Sequence, residues 1–255
     1  MFRMLRLLLF LPLILAGCGE ARPAVGSDVD STTESAEEAP SGPIPDPPEL
    51  RAARARMVDT QIRKIGVTSD RILDAMLAMP RHAFLPEESW GAAYDDRSVR
   101  RPDGESVTAP DLTGAMLQTL DIADGARVLE CGTRSGWITA LLASQAAEVL
   151  TIDARPEFIE KARNLLARME IRNVRFRVGD PCAGWPEEGP FDAIVLTGAV
   201  PHIPKALYAM LADGGSLLAP VGYPGETQTL IHVVKGNAEP KSTRAILSVR
   251  FRALR

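Results

Sequence analysis

Beyond residue 110, short apolar runs alternate with longer segments in which apolar positions recur every three or four residues. The runs "RVLEC", "EVLTID", "NVRFRV", "FDAIVLT" and "GSLLAPVG" are rich in Val, Ile and Leu, and predict buried strands. "DLTGAMLQTL", "GWITALLASQ", "PEFIEKARNLLARM" and "PKALYAML" carry the helical period. Strands alternating with helices of this length imply right-handed crossovers and a mostly parallel sheet. The last two apolar runs, "QTLIHVVK" and "STRAILSVRF", have no helix between them, which predicts an antiparallel hairpin at the sheet edge. The total is about seven strands, with no internal repeat.

Upstream the pattern is helical. "LRAARARMVDTQIRKIG" runs to Gly66, and "TSDRILDAMLAMP" opens on hydroxyl and acid caps and stops at Pro80. Ile72, Leu73, Met76 and Met79 fall on one face, which is expected to be buried. These helices form an N-terminal extension of a single α/β domain spanning residues 51–255.

Composition changes the picture mainly at the start of the chain. With 255 residues and 45% hydrophobic content, a sizeable core is affordable, while a net charge of −4 leaves no basic stripe for nucleic acid. Arg3 and Arg6 precede the apolar run Leu7 to Ala16, too short to span a bilayer as a helix, and "LAGC" resembles the bacterial lipobox. Residues 1–18 are therefore expected to be a lipoprotein signal, with Cys18 lipidated. Gly19 in place of aspartate favours the outer membrane, on its periplasmic side. A simple signal peptide is one alternative, and a misassigned start codon before a cytoplasmic protein is another. Gly19 to Leu50 holds eight acids, one arginine and six prolines with few large apolar side chains, as expected of a disordered tether spanning roughly 30 Å. Cys131 and Cys182 are expected to be two buried free thiols, with a bridge as the alternative. His82 is expected to satisfy local packing or a backbone carbonyl. His202 and His232 have no neighbours at ligand spacing, and no metal is expected.

The candidate chemistry collects at the carboxyl ends of the predicted strands, where open α/β sheets bind their ligands. Those ends carry Glu130, Gly132, Thr133 and Gly136, then Asp153, then Gly179 and Asp180, then Thr197. Glycines let backbone approach a ligand, and an acid about 20 residues on from the loop accepts ribose hydroxyls. The pattern suits a nicotinamide cofactor and S-adenosylmethionine equally.

The flanks separate the two. "MVDTQIRKIGVTSDRILDAMLAMPRHAFLP", "AYDDRSV", "GESVTAP", "VLECGTRSG", "GDPCAGWPEEGPFDAIVLTGA" and "LADGGSLLAPVG" resemble, in order and spacing, the protein-L-isoaspartate O-methyltransferases over roughly residues 56–254. The resemblance implies a class I S-adenosylmethionine-dependent methyltransferase fold, Rossmann-like, that methylates the free carboxylate of isoaspartyl residues in damaged proteins. The ester then leaves as the next backbone nitrogen closes a succinimide. It also implies roles: Thr108, in the place of the family's active-site serine, at the substrate carboxylate; Ser106, Val107, Glu130, Gly132, Thr133 and Gly136 around the cofactor, the last three facing its methionine part; Asp153 at the ribose; Asp180 at the adenine. The expected partners are isoaspartyl proteins or peptides, the expected cofactor S-adenosyl-L-methionine, and the expected state a monomer.

Departures from the family pattern cluster on the same face. Arg134 replaces the middle glycine of the loop, Glu105 stands for a glutamine, Arg100, Arg101 and Pro102 replace "PIG", Pro181 replaces a glycine, and "RFRAL" replaces "RFVPL". If position 134 needs positive φ, arginine costs on the order of 1 kcal/mol and its side chain can fill the methionine pocket. If it does not, the guanidinium can turn outward or grip the cofactor carboxylate. Three readings follow: an isoaspartate repair enzyme; an inactive methyltransferase-fold lipoprotein that binds peptides or a partner; and a methyltransferase with a changed, anionic acceptor served by Arg100 and Arg101.

Overall fold

A computed structural model describes residues 42–237 and 239–254. Residues 1–41, with the expected signal, Cys18 and most of the expected tether, lie outside them. The tether boundary needs correction at its near end. Pro45 and Asp46 are docked on the folded body, and the first helix, α1 (Pro48–Met57), starts with proline in its first turn, where the absent N–H is no loss. A short π-helical segment, Val58–Ile62, continues it, and α2 (Asp70–Ala78) follows. Ile72, Leu73, Met76 and Met79 are all buried, as their spacing predicts.

A two-stranded antiparallel ribbon comes next, β1 (Val99–Arg100) with β2 (Ser106–Val107), and leads into α3 (Pro110–Leu120). The α/β body then runs β3 (Arg127–Cys131), α4 (Trp137–Ala143), β4 (Glu148–Asp153), α5 (Pro156–Arg168), β5 (Val174–Val178), β6 (Phe191–Leu196), α6 (Lys205–Ala209), β7 (Leu211–Val221), β8 (Gln228–Val234) and β9 (Ser242–Val249). These seven strands form one sheet in the order β5-β4-β3-β6-β7-β8-β9. The pairs from β5 across to β7 are parallel, and β8 and β9 add the expected antiparallel hairpin at the edge.

Strand alternation divides the core in two. Val128, Val149, Ala193, Val195 and Leu218 face one layer, which contains α2, α3 and α4; Leu129, Cys131, Leu150, Ile152, Ile194 and Leu196 face the other. The N-terminal helices are thus part of the main core rather than an appendage. The order reverses between β3 and β6, so the crevice of a doubly wound sheet opens at their carboxyl ends. Cys131 is a buried free thiol, whose pKa burial pushes well up; Cys182 is only half-buried, because its turn lies beyond the end of β5.

Candidate active site

The "PRHAF" segment sets the floor on which the site is built. Arg81 is fully buried and donates to the carbonyls of Ala93, Arg97 (3.1 Å), Val107 (3.2 Å) and Thr108 (3.0 Å). With no carboxylate bonded to it, burial lowers its pKa to about 10. The guanidinium therefore fixes the end of β2 and the Thr108 turn from inside the fold. Burial also lowers the pKa of His82 and keeps its imidazole neutral, so Nε2 donates to the Pro45 carbonyl (2.7 Å) and Nδ1 accepts from the Tyr94 hydroxyl (2.8 Å). This is the packing role its sequence context suggests.

At the end of β3, Gly132 has φ +102°, and a Cβ there would fall on the Thr197 hydroxyl, which donates to the Gly132 carbonyl. Beneath the loop lies a closed polar network. Glu130 Oε2 accepts from Thr139 (2.5 Å) and Thr151 (2.7 Å), and Thr133 shares a hydrogen bond with Thr151 (2.6 Å). Glu130 Oε1 is buried without a partner, and burial pushes the pKa of this carboxyl up to about 8. Asp153, 3% exposed, accepts the loop N–H of Arg134 on Oδ2 (3.1 Å) and the N–H of Arg155 on Oδ1 (3.0 Å). Burial raises its pKa, opposed by those two N–H bonds.

Above these groups opens a cavity of about 390 Å³, bounded by Gly132, Arg134, Asp153, Phe158, Glu105 and the C-terminal segment. That volume is in the range of small-molecule sites. A smaller pocket of about 100 Å³ adjoins it, holding Ser106, Thr108, Thr197 and the three arginines Arg134, Arg250 and Arg252. A niche of about 10 Å³ lies between Thr108, Glu130, Thr133 and Ile138. The residues fit S-adenosylmethionine at its nucleoside end, where Asp153 keeps lone pairs for vicinal hydroxyls.

Arg134 adopts φ +50°, the left-handed region, and its side chain turns into the site. Nη1 is 2.5 Å from Glu105 Oε2, Nη2 donates to the Ala253 carbonyl at 2.8 Å, and Nε is buried with no partner. Two departures from the family pattern, at positions 105 and 134, are therefore one ion pair. Arg101 pairs with Asp103 at 2.8 Å, which takes it out of service for an anionic ligand.

Thr108, Ser106, Glu130, Gly132, Thr133 and Asp153 thus gather around the two pockets and the niche. Three other expected site residues sit differently. The missing Cβ of Gly136 (φ +81°) faces Ala162 of α5 at 3.0 Å, so this glycine admits the close approach of that helix. Val107 is fully buried opposite Val99, and its side chain serves the core. Asp180 is exposed, caps its own turn through the Cys182 N–H (2.8 Å), and lines neither pocket. Sequence reasoning passed over Arg155 and Phe158, and marked the strap Arg252–Leu254 only as a departure from the family pattern. The Arg155 guanidinium sits 3.6 Å over the Phe158 ring, and the strap is tied down by backbone bonds between Ala199 and both Arg252 and Leu254. The signal for the strap was the altered "RFRAL".

Comparison with known proteins agrees with this architecture. Residues 52–255 match the family model for protein-L-isoaspartate(D-aspartate) O-methyltransferase. The chain is 42% identical over 185 residues to a protein-L-isoaspartate O-methyltransferase of Methanoculleus marisnigri, covering 72% of this chain and 84% of that protein. It is 39% identical over 206 residues to protein-L-isoaspartate O-methyltransferase 1 of Rhodopseudomonas palustris, covering 81% and 84%. A solved protein-L-isoaspartate O-methyltransferase superposes with a TM-score of 0.72 at 25% identity, over 78% of this chain and 65% of that one. A Plasmodium falciparum structure holding S-adenosyl-L-homocysteine has the same fold, with a TM-score of 0.67 at 21% identity over 79% of this chain and 98% of its own. This chain belongs to the protein-L-isoaspartate(D-aspartate) O-methyltransferase family.

Proposed function

We propose that this protein methylates the free carboxylate of L-isoaspartyl residues in damaged proteins, with S-adenosylmethionine as methyl donor. The observation that carries this reading is the pair of adjoining pockets: a larger one with Asp153 and Gly132, and a smaller one with Thr108 in a wall of arginines. When bound, S-adenosylmethionine supplies an electrophilic methyl group on a sulfonium. Asp153 would hold the ribose hydroxyls, and the backbone at Gly132 would line the amino-acid end. The acceptor carboxylate is ionised near neutral pH, so no side chain has to remove a proton. The Thr108 hydroxyl donates to it, Arg250 and Arg252 attract it, and alignment supplies the rate.

Methyl label supplied on S-adenosylmethionine is expected to reach an isoaspartyl peptide and not its aspartyl twin. Equal transfer to both, or to neither, would refute the reading. Thr108→Ala should lower kcat/KM by about 10- to 100-fold, the value of one hydrogen bond to a charged group, and Thr108→Ser should restore most of it.

The basic start, the apolar run and "LAGC" further support a lipid-anchored, exported form held at Cys18. Among the described residues no helix is long and apolar enough to cross a membrane. If the anchor is lipid, Cys18→Ser should move the protein out of the membrane fraction; continued partition there would count against it.

A further inference from the structure

The two pockets share a wall made by three residues, Glu105, Arg134 and Arg252. Its centre is the Arg134 to Glu105 ion pair, with side chains 14% and 9% exposed. Transfer between groups held in adjoining pockets needs the reacting atoms ~3–3.5 Å apart and in line. An intact pair stands between them, so it must part during the reaction.

Parting it unaided would leave two poorly solvated charges, which is strongly unfavourable. The surroundings supply a replacement for one partner only. Glu105 Oε1 already lies 3.5 Å from Arg155 Nη1, so the carboxylate has a second cation to move to. Among the described residues no second carboxylate lies within ion-pair distance of the Arg134 guanidinium: its remaining bond is to the Ala253 carbonyl, and its buried Nε has no partner. A guanidinium in this state takes an incoming carboxylate in a two-pronged fork, which an uncharged group cannot reproduce.

We propose that Arg134 and Glu105 form a gate between the donor and acceptor pockets, in which Glu105 stands in for the acceptor carboxylate until an anionic acceptor displaces it from Arg134. Arg134 is then a specificity-determining residue for a carboxylate acceptor, and Glu105 its positioning partner. This rests on the reading above for the identity of the acceptor, but the gate itself is a property of the pair. Its consequence is coupling. An acceptor that removes Glu105 from the guanidinium also opens the wall of the larger pocket, so each ligand strengthens the other's binding by the same factor.

The test is calorimetric titration of the full chain with S-adenosylhomocysteine, with and without an isoaspartyl peptide and with the same peptide carrying isoasparagine. For the native sequence the isoaspartyl peptide is expected to tighten the analogue about tenfold or more, and the neutral peptide not at all. Arg134→Gly should bind the analogue at least tenfold tighter without any peptide, and lose the coupling. Glu105→Gln, which keeps the shape of the wall, should tighten binding of the isoaspartyl peptide and weaken the coupling. Equal analogue affinity in the native chain with and without peptide, or coupling that survives Arg134→Gly, overturns the gate. The two readings fail separately. Methyl transfer to the isoaspartyl peptide without coupling would leave the activity and remove the gate; no transfer, with coupling that is present in the native chain and lost in Arg134→Gly, would remove the activity and leave the gate.

Discussion

One methyl group distinguishes two glycines in the same loop. At Gly132 a Cβ would strike the Thr197 hydroxyl and come within 3.0 Å of Leu254 on the strap, on a backbone at φ +102°. At Gly136 it would meet Ala162 of α5 instead. Gly132→Ala is therefore expected to lower stability and to weaken S-adenosylhomocysteine binding in the protein that still folds, whereas Gly136→Ala should cost about 1–3 kcal/mol of stability in overpacking and leave the folded protein able to bind. Thermal unfolding and calorimetry on the two variants separate the effects. Glu130 carries a pH signature. Its native pKa, about 8 against an ordinary 4.5, means the folded state holds a proton that the unfolded state releases. Its contribution to stability is thus complete below about pH 4.5 and lost as pH rises through 8. Glu130→Gln should flatten that part of the stability profile, and an unchanged slope in urea melts between pH 5 and 8 would show that the carboxyl is ionised in the fold. Asp153 was legible from its letter and strand-end position alone. Gly132 and Gly136 were not separable that way, because the atoms that distinguish them lie just past β6, on the strap and on α5.

Among elements, the large strands were legible and the small ribbon was not. "RVLEC" and "EVLTID" coincide with β3 and β4, which are buried on both faces at every position but the first and so carry Val, Leu and Ile on both. The strands β1 and β2 have two residues each, too few for a period, and exist because a distant side chain holds them. Arg81 supplies that hold through four carbonyls, two of them at the Val107–Thr108 end that presents the Thr108 hydroxyl to the smaller pocket. Arg81→Met would leave these acceptors buried and unpaired, and is expected to cost about 3 kcal/mol or more in urea denaturation. Because the ribbon positions Thr108, KM for the isoaspartyl peptide should rise in whatever fraction still folds. The Glu105 to Arg134 pair illustrates the same limit. Both positions stand out in the sequence as departures, but only the turn between β1 and β2 brings a residue 29 places upstream onto the guanidinium.

For the molecule as a whole, the question is where the folded unit begins. Acidic, proline-rich composition reads as tether up to Leu50, yet the last part of that stretch has specific partners on the body. The Asp46 carboxylate pairs with Arg54 at 2.8 Å, in front of a guanidinium that is only 7% exposed and also bonds Tyr94. The Pro45 carbonyl takes the Nε2 proton of His82, and the Gly42 carbonyl that of Arg168 Nε at 3.0 Å. Composition averages over such contacts, since two or three polar bonds to a preformed surface leave no hydrophobic mark. A chain that starts at residue 51 would strand Arg54 without its carboxylate and His82 without its acceptor, at a cost of about 2–3 kcal/mol. At this size that corresponds to a fall in Tm of about 5–10 °C relative to a chain that starts at residue 42. Asp46→Asn in the longer chain should reproduce part of the loss, because it removes the charge and keeps the backbone contacts. Equal melting of the two lengths would mean that residues 42–50 only rest on the surface. A difference of the expected size would mean that the segment before α1 is anchored at Arg54 on α1 and at His82, beside Arg81.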